Sequence, residues 1–262
     1  MLALAQIYCI HSKVLMKHCA ILTMDSLSDF ECYDHLLDKP LASLGWQTQL
    51  VSWRCENVDW QQFEAVIIRS PWDYQDDASS FISVLETIDS SSAVVQNSLA
   101  TVCWNIDKIY LQSLAEHNVT IVPTLWQSNF VAEDLSQFFN HFACQQLVIK
   151  PRISANADNT FWLKQATAQD SVVGLEAVFS DSDFMVQPFI ASVIAEGEFS
   201  LFYFNGEYSH AILKTPKADD FRVQEEHGGR LQAITPEKPL LTQAESTLAV
   251  ITTLTGEMPL YA

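Results

Sequence analysis

The stretch GEFSLFYFNGEYSHAILK, residues 197–214, carries the clearest structural signal in the chain. Two runs rich in aromatic and aliphatic residues are separated only by Asn205 and Gly206. Asparagine followed by glycine is a preferred pair for a two-residue hairpin turn, because both residues tolerate positive φ. The stretch therefore predicts two long antiparallel strands in the second half of the chain.

The first hundred residues have a different pattern, in which short apolar runs alternate with a helical segment. A helix is predicted to open at Asp38 and to end at Gly45. Such alternation predicts a small parallel sheet in a Rossmann-like lobe over residues 16–97. Residues 1–15 are interpreted as an appendage outside this fold. Three runs are read as strands: 19–24, 47–53 and 65–69.

The middle of the chain combines helices with a second hairpin. A helix is predicted over 105–117, capped by Asn105 and carrying Lys108 in its first turn. The run LVIKP predicts a strand that ends near Lys150, and FWLK is its return strand across the loop 153–160. The fold class is therefore α/β, becoming α+β in the second half. The other predicted elements are a helix near 133–143, a polar loop from 216 to about 239 and a helix over 242–254.

Composition limits the classes of partner. The 262 residues are 48% hydrophobic, enough for one large or two smaller cores. A formal net charge of −18 repels nucleic acid and anionic membranes, so neither is expected as a partner. An anionic cofactor is still compatible, because its binding depends on the few cations of one cleft. The scattered cysteines, with no long apolar run and no signal peptide, predict a soluble, reduced, cytoplasmic protein.

Familiar catalytic signatures such as GxGxxG, the Walker lysine loop, HExxH and GxSxG do not occur in the sequence. It contains instead an ordered series of short motifs: RSPWDY at 69–74, NIDKIY at 105–110, LVIKP at 147–151, MVQPFI at 185–190, EGE at 196–198, HAILK at 210–214 and DFRVQEEHGG at 220–229. In this order the series resembles the ATP-grasp superfamily over roughly residues 17–262. The resemblance is greatest to the branch of the cycloserine-pathway O-ureidoserine ligase and looser to prokaryotic glutathione synthetase.

The resemblance implies a particular domain order. A Rossmann-like pre-ATP-grasp lobe over 16–97 would be followed by an ATP-grasp domain with antiparallel sheets. That domain would divide into subdomain 1 at 98–185 and subdomain 2 at 186–262.

The resemblance also implies a phosphate site. Lys108 and Lys150 would act as point charges on the α- and β-phosphates of ATP. Ser154 would lie in the loop 153–160 that covers them; this loop is poorer in glycine than in the family, although asparagine also tolerates a left-handed turn. Alternatively, each lysine is a solvated residue at the end of an element.

Adenine and ribose would be bound by the next motifs along the chain. In the family, backbone groups of the segment equivalent to MVQPFI recognise the adenine edge, which gives that role here to Gln187, Phe189 and Ile190. Glu196 or Glu198 would accept hydrogen bonds from the ribose hydroxyls. Alternatively, the segment is a core strand, and one of the two acids is an exposed loop residue.

Two cations near the second hairpin are interpreted as catalytic. Arg222, in a loop beside Gly228 and Gly229, would close over the transferred phosphoryl group or the oxyanion formed after it. Lys214 would stand on the hairpin wall nearby. The alternative is a charged surface loop.

Substrate contacts are expected at the end of the run 65–69, where open α/β sheets bind ligands. Arg69 would pair with a substrate carboxylate and Asp73 with an ammonium group, while Tyr74 would line the same place. The alternative is that Trp72 and Tyr74 pack the lobe interface.

The implied activity is ATP-dependent ligation of a small-molecule carboxylate to an amine through an acyl phosphate, with Mg²⁺ bridging the β- and γ-phosphates. Members of the family continue beyond PLYA into strands whose acids hold that metal. We therefore expect subdomain 2 to be incomplete, no metal ligand to be assignable, and catalysis to be impaired. The alternative is an inactive nucleotide-binding remnant with an interaction or regulatory role. The sequence leaves the substrates and oligomeric state open, a homodimer being the commonest soluble oligomer.

Overall fold

The structure is a computed structural model that describes residues 16–218 and 220–262. The appendage predicted at 1–15 lies outside the described residues. The described strands form three sheets, one parallel and two antiparallel. This arrangement confirms the predicted fold class.

The first sheet is parallel throughout, in the order β2-β1-β3-β4. The inner strand formed by Lys17–Thr23 is buried over its last five residues, and Leu22, Val66 and Leu85 are fully enclosed in the core. The predicted helix stop is confirmed at Gly45, which has φ 83°. The elements are β1 (Lys17–Thr23), α1 (Asp38–Ser43), β2 (Trp46–Ser52), β3 (Ala65–Ser70), α2 (Ala78–Asp89) and β4 (Val94–Gln96).

The helix predicted over 105–117 is wrong in its first part. A short helix α3 (Leu99–Asn105), capped by Ser98, comes first, and α4 (Tyr110–Glu116) begins only after a turn. Asn105 therefore ends a helix, and Lys108 lies in the turn before α4. The interruption has a tertiary cause, because the backbone N–H of Lys108 donates to the carbonyl of Arg152.

The second sheet is antiparallel, in the order β5-β8-β6-β7. Phe130, Phe179 and Phe184 fill the space between this sheet and its helices. The predicted boundary at 185/186 falls inside β8, whose last residues still pair with β6. The elements are β5 (Leu125–Ser128), α5 (Asp134–Phe142), β6 (Gln146–Pro151), β7 (Phe161–Lys164), α6 (Val172–Phe179) and β8 (Asp183–Pro188).

The third sheet contains the predicted hairpin, in the order β11-β10-β9. Asn205 and Gly206 have φ 50° and 79°, so the turn prediction is confirmed. The polar loop predicted from 216 to 239 is wrong in its second part, because β11 forms there by pairing with β10. The elements are α7 (Ser192–Ala195), β9 (Glu198–Phe204), β10 (Glu207–Thr215), β11 (Arg230–Ile234) and α8 (Lys238–Thr255).

The segment after α8 ties the third sheet to the first. The backbone of Ala262 exchanges two hydrogen bonds with Tyr203 in β9. On the other side, the Asn97 side chain bonds the backbone of Leu260 and Tyr261, and the Tyr261 hydroxyl donates to the carbonyl of Ile68 at 2.5 Å. None of the described helices is both long and apolar enough to cross a bilayer.

Candidate functional site

A cavity of about 430 Å³ lies between the second and third sheets. Its walls come from β6, the loop 153–160, the end of β8 with the segment after it, and the loop 221–224. These parts are far apart in sequence, and the fold brings most of the predicted ATP-binding residues together. The predicted residues that line the cavity are Lys108, Lys150, Ser154, Gln187, Phe189, Ile190, Glu198 and Arg222.

Lys150 enters the cavity from the end of β6. Pairing with β8 places it opposite Met185 and fixes the backbone position of the side chain. Among the described residues its ammonium group has no hydrogen-bond or ion-pair partner. Burial lowers the pKa of Lys150, and the carboxylate of Glu198 opposes part of that shift. Lys150 is thus a half-buried cation available to an anionic ligand.

Lys108 meets Lys150 from the opposite wall but is already held. Its Nζ donates to the carbonyl and the hydroxyl of Ser154, at 2.6 and 2.8 Å. Burial and the nearby Lys150 charge lower the pKa of Lys108 to about 8, while Asp107 acts against the shift. Two repelling cations therefore share one cavity, which is the arrangement expected of an anion site.

The loop 153–160 turns back over these cations with left-handed residues. Asn156, Ala157 and Asn159 all have positive φ, although none is glycine. Asparagine adopts this region readily, whereas alanine is strained there. Asn156 Oδ1 and Gln224 Oε1 are buried and lack a hydrogen-bond partner, and both residues line the cavity. Buried unpaired polar atoms of this kind fit a site that binds a polar ligand.

The segment after β8 offers one unused backbone donor. Gln187 lies in β8, and its side-chain amide donates to Thr124 Oγ1 at 2.9 Å. The N–H of Phe189 is engaged by the carbonyl of Gln146 at 3.0 Å, so Phe189 cannot offer that donor to adenine. The N–H of Ile190 has no partner among the described residues. Of the predicted adenine contacts, Ile190 is the residue whose amide is available.

The two acids predicted for ribose are placed differently. Glu198 starts β9 on the cavity wall, and its carboxylate receives Lys214 Nζ at 3.2 Å from the paired position on β10. Glu196 caps the end of α7 and is exposed outside the cavity lining. Lys214 does not line the cavity, and its described contact with the cavity wall is its ion pair with Glu198.

Arg222 lies on the loop that closes one side of the cavity. Its Nε and Nη2 bond the carboxylate of Asp220, which leaves Nη1 without a described partner. The guanidinium holds the Asp220 pKa far below its usual range. Gly229 packs so tightly under the loop that a Cβ would lie 2.1 Å from the Val223 carbonyl oxygen. The lack of a side chain at Gly229 therefore allows the close packing of the loop that carries the half-exposed Arg222.

A smaller cavity of about 270 Å³ lies at the carboxyl end of β3 and includes Arg69, Tyr74 and Tyr261. Arg69 Nε donates to the buried carboxylate of Asp34 at 2.9 Å, leaving the outer guanidinium nitrogens without a described partner. Burial raises the pKa of Tyr261 to about 12, so its hydroxyl stays protonated. Arg69 and Tyr74 thus line one polar-edged cavity.

Asp73 is placed less favourably for the predicted ammonium contact. Its two carboxylate oxygens receive the Trp53 indole N–H at 2.7 Å and Arg54 Nε at 2.8 Å. It does not line the smaller cavity. Asp73 therefore ties two strand ends together, a role that only these long-range contacts disclose.

Tyr74 joins the two cavities. Its ring packs against Phe81 in the smaller cavity with the two planes tilted by 39°, and its hydroxyl lies 3.4 Å from the carbonyl oxygen of Ser154. The same oxygen accepts from Lys108. Next to it, the Gln75 amide donates to Asp158 at 3.1 Å. Tyr74 thus lines the smaller cavity and also contacts the loop 153–160, while its predicted contact with substrate stays a prediction.

Asp107 and Arg152, which were not predicted as site residues, form an ion pair next to the cavity lysines. The sequence does show that each of these lysines has an ionisable neighbour within two positions, Asp107 beside Lys108 and Arg152 after Lys150. It does not show that these two neighbours, 45 positions apart, pair with each other.

Within residues 16–218 and 220–262, no group of three or more His, Cys, Asp or Glu side chains could hold a metal ion.

Comparison with known proteins finds similarities in both sequence and fold. The model of the family "D-cycloserine synthetase DcsG, N-terminal domain" matches residues 19–97. The cycloserine biosynthesis protein DcsG of Streptomyces lavendulae is 28% identical over 176 residues, which is 66% of this chain and 58% of that protein. The chain thus spans less than two thirds of that relative's length.

Solved structures agree. The crystal structure of D-cycloserine synthetase DcsG has a TM-score of 0.81 at 25% identity and covers 93% of this chain and 84% of its own. D-alanine–D-alanine ligase from Bacillus anthracis, complexed with ATP, has a TM-score of 0.61 at 12% identity, covers 94% and 79%, and indicates the fold alone. In sequence this chain is similar to the D-cycloserine synthetase DcsG, and its fold is that of the ATP-grasp ligases.

Proposed function

We propose that this chain is an ATP-dependent ligase that joins a carboxylate to an amine. The carboxylate would take the γ-phosphoryl group of ATP, with ADP as the leaving group, and the amine would then attack the acyl phosphate to form the amide and release inorganic phosphate and a proton. One observation carries the proposal. Lys108, Lys150 and Arg222 converge on a single cavity in a chain with a net charge of −18. Such a local reversal of charge favours a polyphosphate.

The residues present fit ATP. Lys150 and Lys108 would hold the phosphates beneath the loop 153–160. The N–H of Ile190 would bind adenine. Glu198 would accept from the ribose, while its ion pair with Lys214 keeps the carboxylate charged and oriented.

Arg222 would stabilise charge on the reacting groups. Its pairing with Asp220 uses two nitrogens and orients the third, so the guanidinium is positioned before a ligand arrives. The side chain is 40% exposed, so the guanidinium would be accessible to a ligand that enters the cavity.

The acceptor substrate would occupy the smaller cavity. The outer nitrogens of Arg69 would bind a carboxylate, and the contact of Tyr74 with Ser154 would bring the reacting group towards the phosphates.

The described residues do not form a metal site. We assign none of the described residues as a ligand of Mg²⁺, which, when bound with ATP, would supply positive charge at the phosphates. The cytoplasmic location and the homodimer stay predictions.

A second candidate is a nucleotide-binding module without turnover. It is favoured by the lack of a carboxylate cluster among the described residues and by the strained, alanine-containing phosphate loop. The two candidates share the ATP site and differ only in phosphate release.

The experiment compares the wild-type chain with Lys150→Ala and a matched control, Lys39→Ala, an exposed lysine of α1. Calorimetry with a non-hydrolysable ATP analogue and Mg²⁺ measures binding, and a phosphate-release assay with mixed carboxylates and amines measures turnover. We expect binding by the wild type and the control but not by Lys150→Ala. If the wild type binds the ATP analogue but releases no phosphate with any substrate mixture, the second candidate is supported. If the wild type does not bind the analogue, both candidates are refuted.

A further inference from the structure

We propose that Arg152 and Asp107 are positioning residues that fix Lys108 in the cavity. The inference rests on the proposed ATP site and extends it to two residues that touch no ligand. Neither residue lines the cavity. Their effect on a nucleotide would therefore pass entirely through Lys108 and the loop 153–160.

The ion pair is bidentate and partly enclosed. Arg152 Nε lies 2.9 Å from Asp107 Oδ1, and Nη2 lies 2.5 Å from Oδ2. The two side chains are only 22% and 24% exposed. A parallel fork of this kind fixes direction as well as distance. The remaining nitrogen, Nη1, reaches outward to Asp183 at 2.5 Å, and Asp183 is 55% exposed.

The pair joins the two segments that carry the cavity lysines. Asp107 immediately precedes Lys108, and Arg152 follows Lys150 by two positions. Asp107 Oδ1 also accepts the N–H of Ile109, which fixes the turn before α4. The carbonyl of Arg152 accepts both the backbone N–H and the Nζ of Lys108, at 3.1 and 3.3 Å. Two of the hydrogen bonds donated by Lys108 therefore end on a residue of this ion pair, and the other two from its Nζ end on Ser154, two positions further along the chain.

The pair also offsets an electrostatic cost. Lys108 faces the charge of Lys150 from β6, and it is further surrounded by Arg152, by the neutral hydroxyl of Tyr74 and by its own neighbour Asp107. Of these groups only Asp107 is an anion, and it raises the pKa of Lys108 against burial and against Lys150. Asp107 thus serves both to place Lys108 and to keep it protonated.

The test titrates the full chain with a non-hydrolysable ATP analogue and Mg²⁺ between about pH 6 and pH 10, which brackets the Lys108 pKa of about 8. Asp107→Asn keeps shape and removes charge, Arg152→Met removes the fork, and Asp183→Asn is the matched control that breaks only the exposed contact. We expect the first two to weaken binding about tenfold or more near neutral pH, and the control to stay within about twofold.

The pH profile separates positioning from general destabilisation. An anionic ligand prefers protonated Lys108, so wild-type affinity falls as pH rises above about 8. Asp107→Asn removes the group that raises this pKa, so its affinity should begin to fall at lower pH. Arg152→Met leaves that carboxylate in place, and its midpoint should not move down. A purely structural ion pair predicts weaker binding with one unchanged midpoint.

Wild-type affinity in folded Asp107→Asn and Arg152→Met would overturn the inference, as would an unshifted midpoint in Asp107→Asn. Circular dichroism and thermal unfolding confirm folding, and Asp107→Glu tests rescue if Asp107→Asn fails to fold. If the wild type binds the analogue, Lys150→Ala does not, and Arg152→Met binds as the wild type does, this inference is refuted but the proposed ATP site is supported. No wild-type binding would refute both.

Discussion

Replacing Lys150 with methionine should change ligand affinity and stability in opposite directions. The substitution keeps an apolar stem of similar length at the end of β6 but removes the ammonium group. In the folded protein this group is half-buried, faces Lys108 and lacks a described partner. Burial lowers the Lys150 pKa from 10.5, so the charged form is disfavoured until an anion binds.

The expected loss of affinity follows from the contact that disappears. A hydrogen bond to a charged group contributes about 1.5–3 kcal/mol. Its loss should raise the dissociation constant for ATP roughly 10- to 150-fold. Without ligand, the same change should raise the melting temperature at neutral pH, because it removes an unpaired, partly buried cation and its repulsion of Lys108.

The sign of the pH dependence follows from the lowered pKa. Between the folded pKa of Lys150 and its ordinary value of 10.5, the unfolded chain binds more protons, so wild-type stability gains with rising pH. The advantage of Lys150→Met should therefore be largest near neutral pH and shrink towards pH 10.5. Calorimetric titration and thermal scans of both proteins, with Lys39→Met as control, measure these effects. Unchanged ATP affinity, or a lower melting temperature at neutral pH, would refute the reasoning.

Three further predictions concern other parts of the molecule. ATP-analogue affinity should fall up to about tenfold per pH unit above the Lys108 pKa of about 8, and a flat calorimetric profile through about pH 9 would contradict this. Phe184→Ala should cost about 3–5 kcal/mol of unfolding free energy in urea, because Phe184 is fully buried among aromatic rings; a loss below about 1 kcal/mol would be inconsistent with that packing. Asn97→Ala should speed hydrogen exchange at the Leu260 amide, which Asn97 Oδ1 binds at 2.7 Å, and unchanged exchange would show that the segment is held by other contacts.

Much of the fold could be predicted because its signals are local. The turn at Asn205 and Gly206, the stop at Gly45 and the apolar strand runs depend on the backbone preferences of a few neighbouring residues. The errors occurred where tertiary contacts outweighed such preferences. The helix expected from Asn105 is interrupted because Lys108 bonds the carbonyl of Arg152, and β11 forms because β10 offers it an edge.

The features of the candidate site also divide into those that the sequence indicated and those that depend on tertiary contacts. By itself, the sequence determined the order of the motifs, and through the resemblance that this order carries it predicted that Lys108, Lys150 and Arg222 serve one site. Only the tertiary structure decided that Asp73 is occupied by Trp53 and Arg54, that the amide of Ile190 is unused, and that Asp107 pairs with Arg152. The physical reason is that residue types and local conformation are encoded along the chain, whereas a charged group's choice among distant partners depends on distances that exist only after packing.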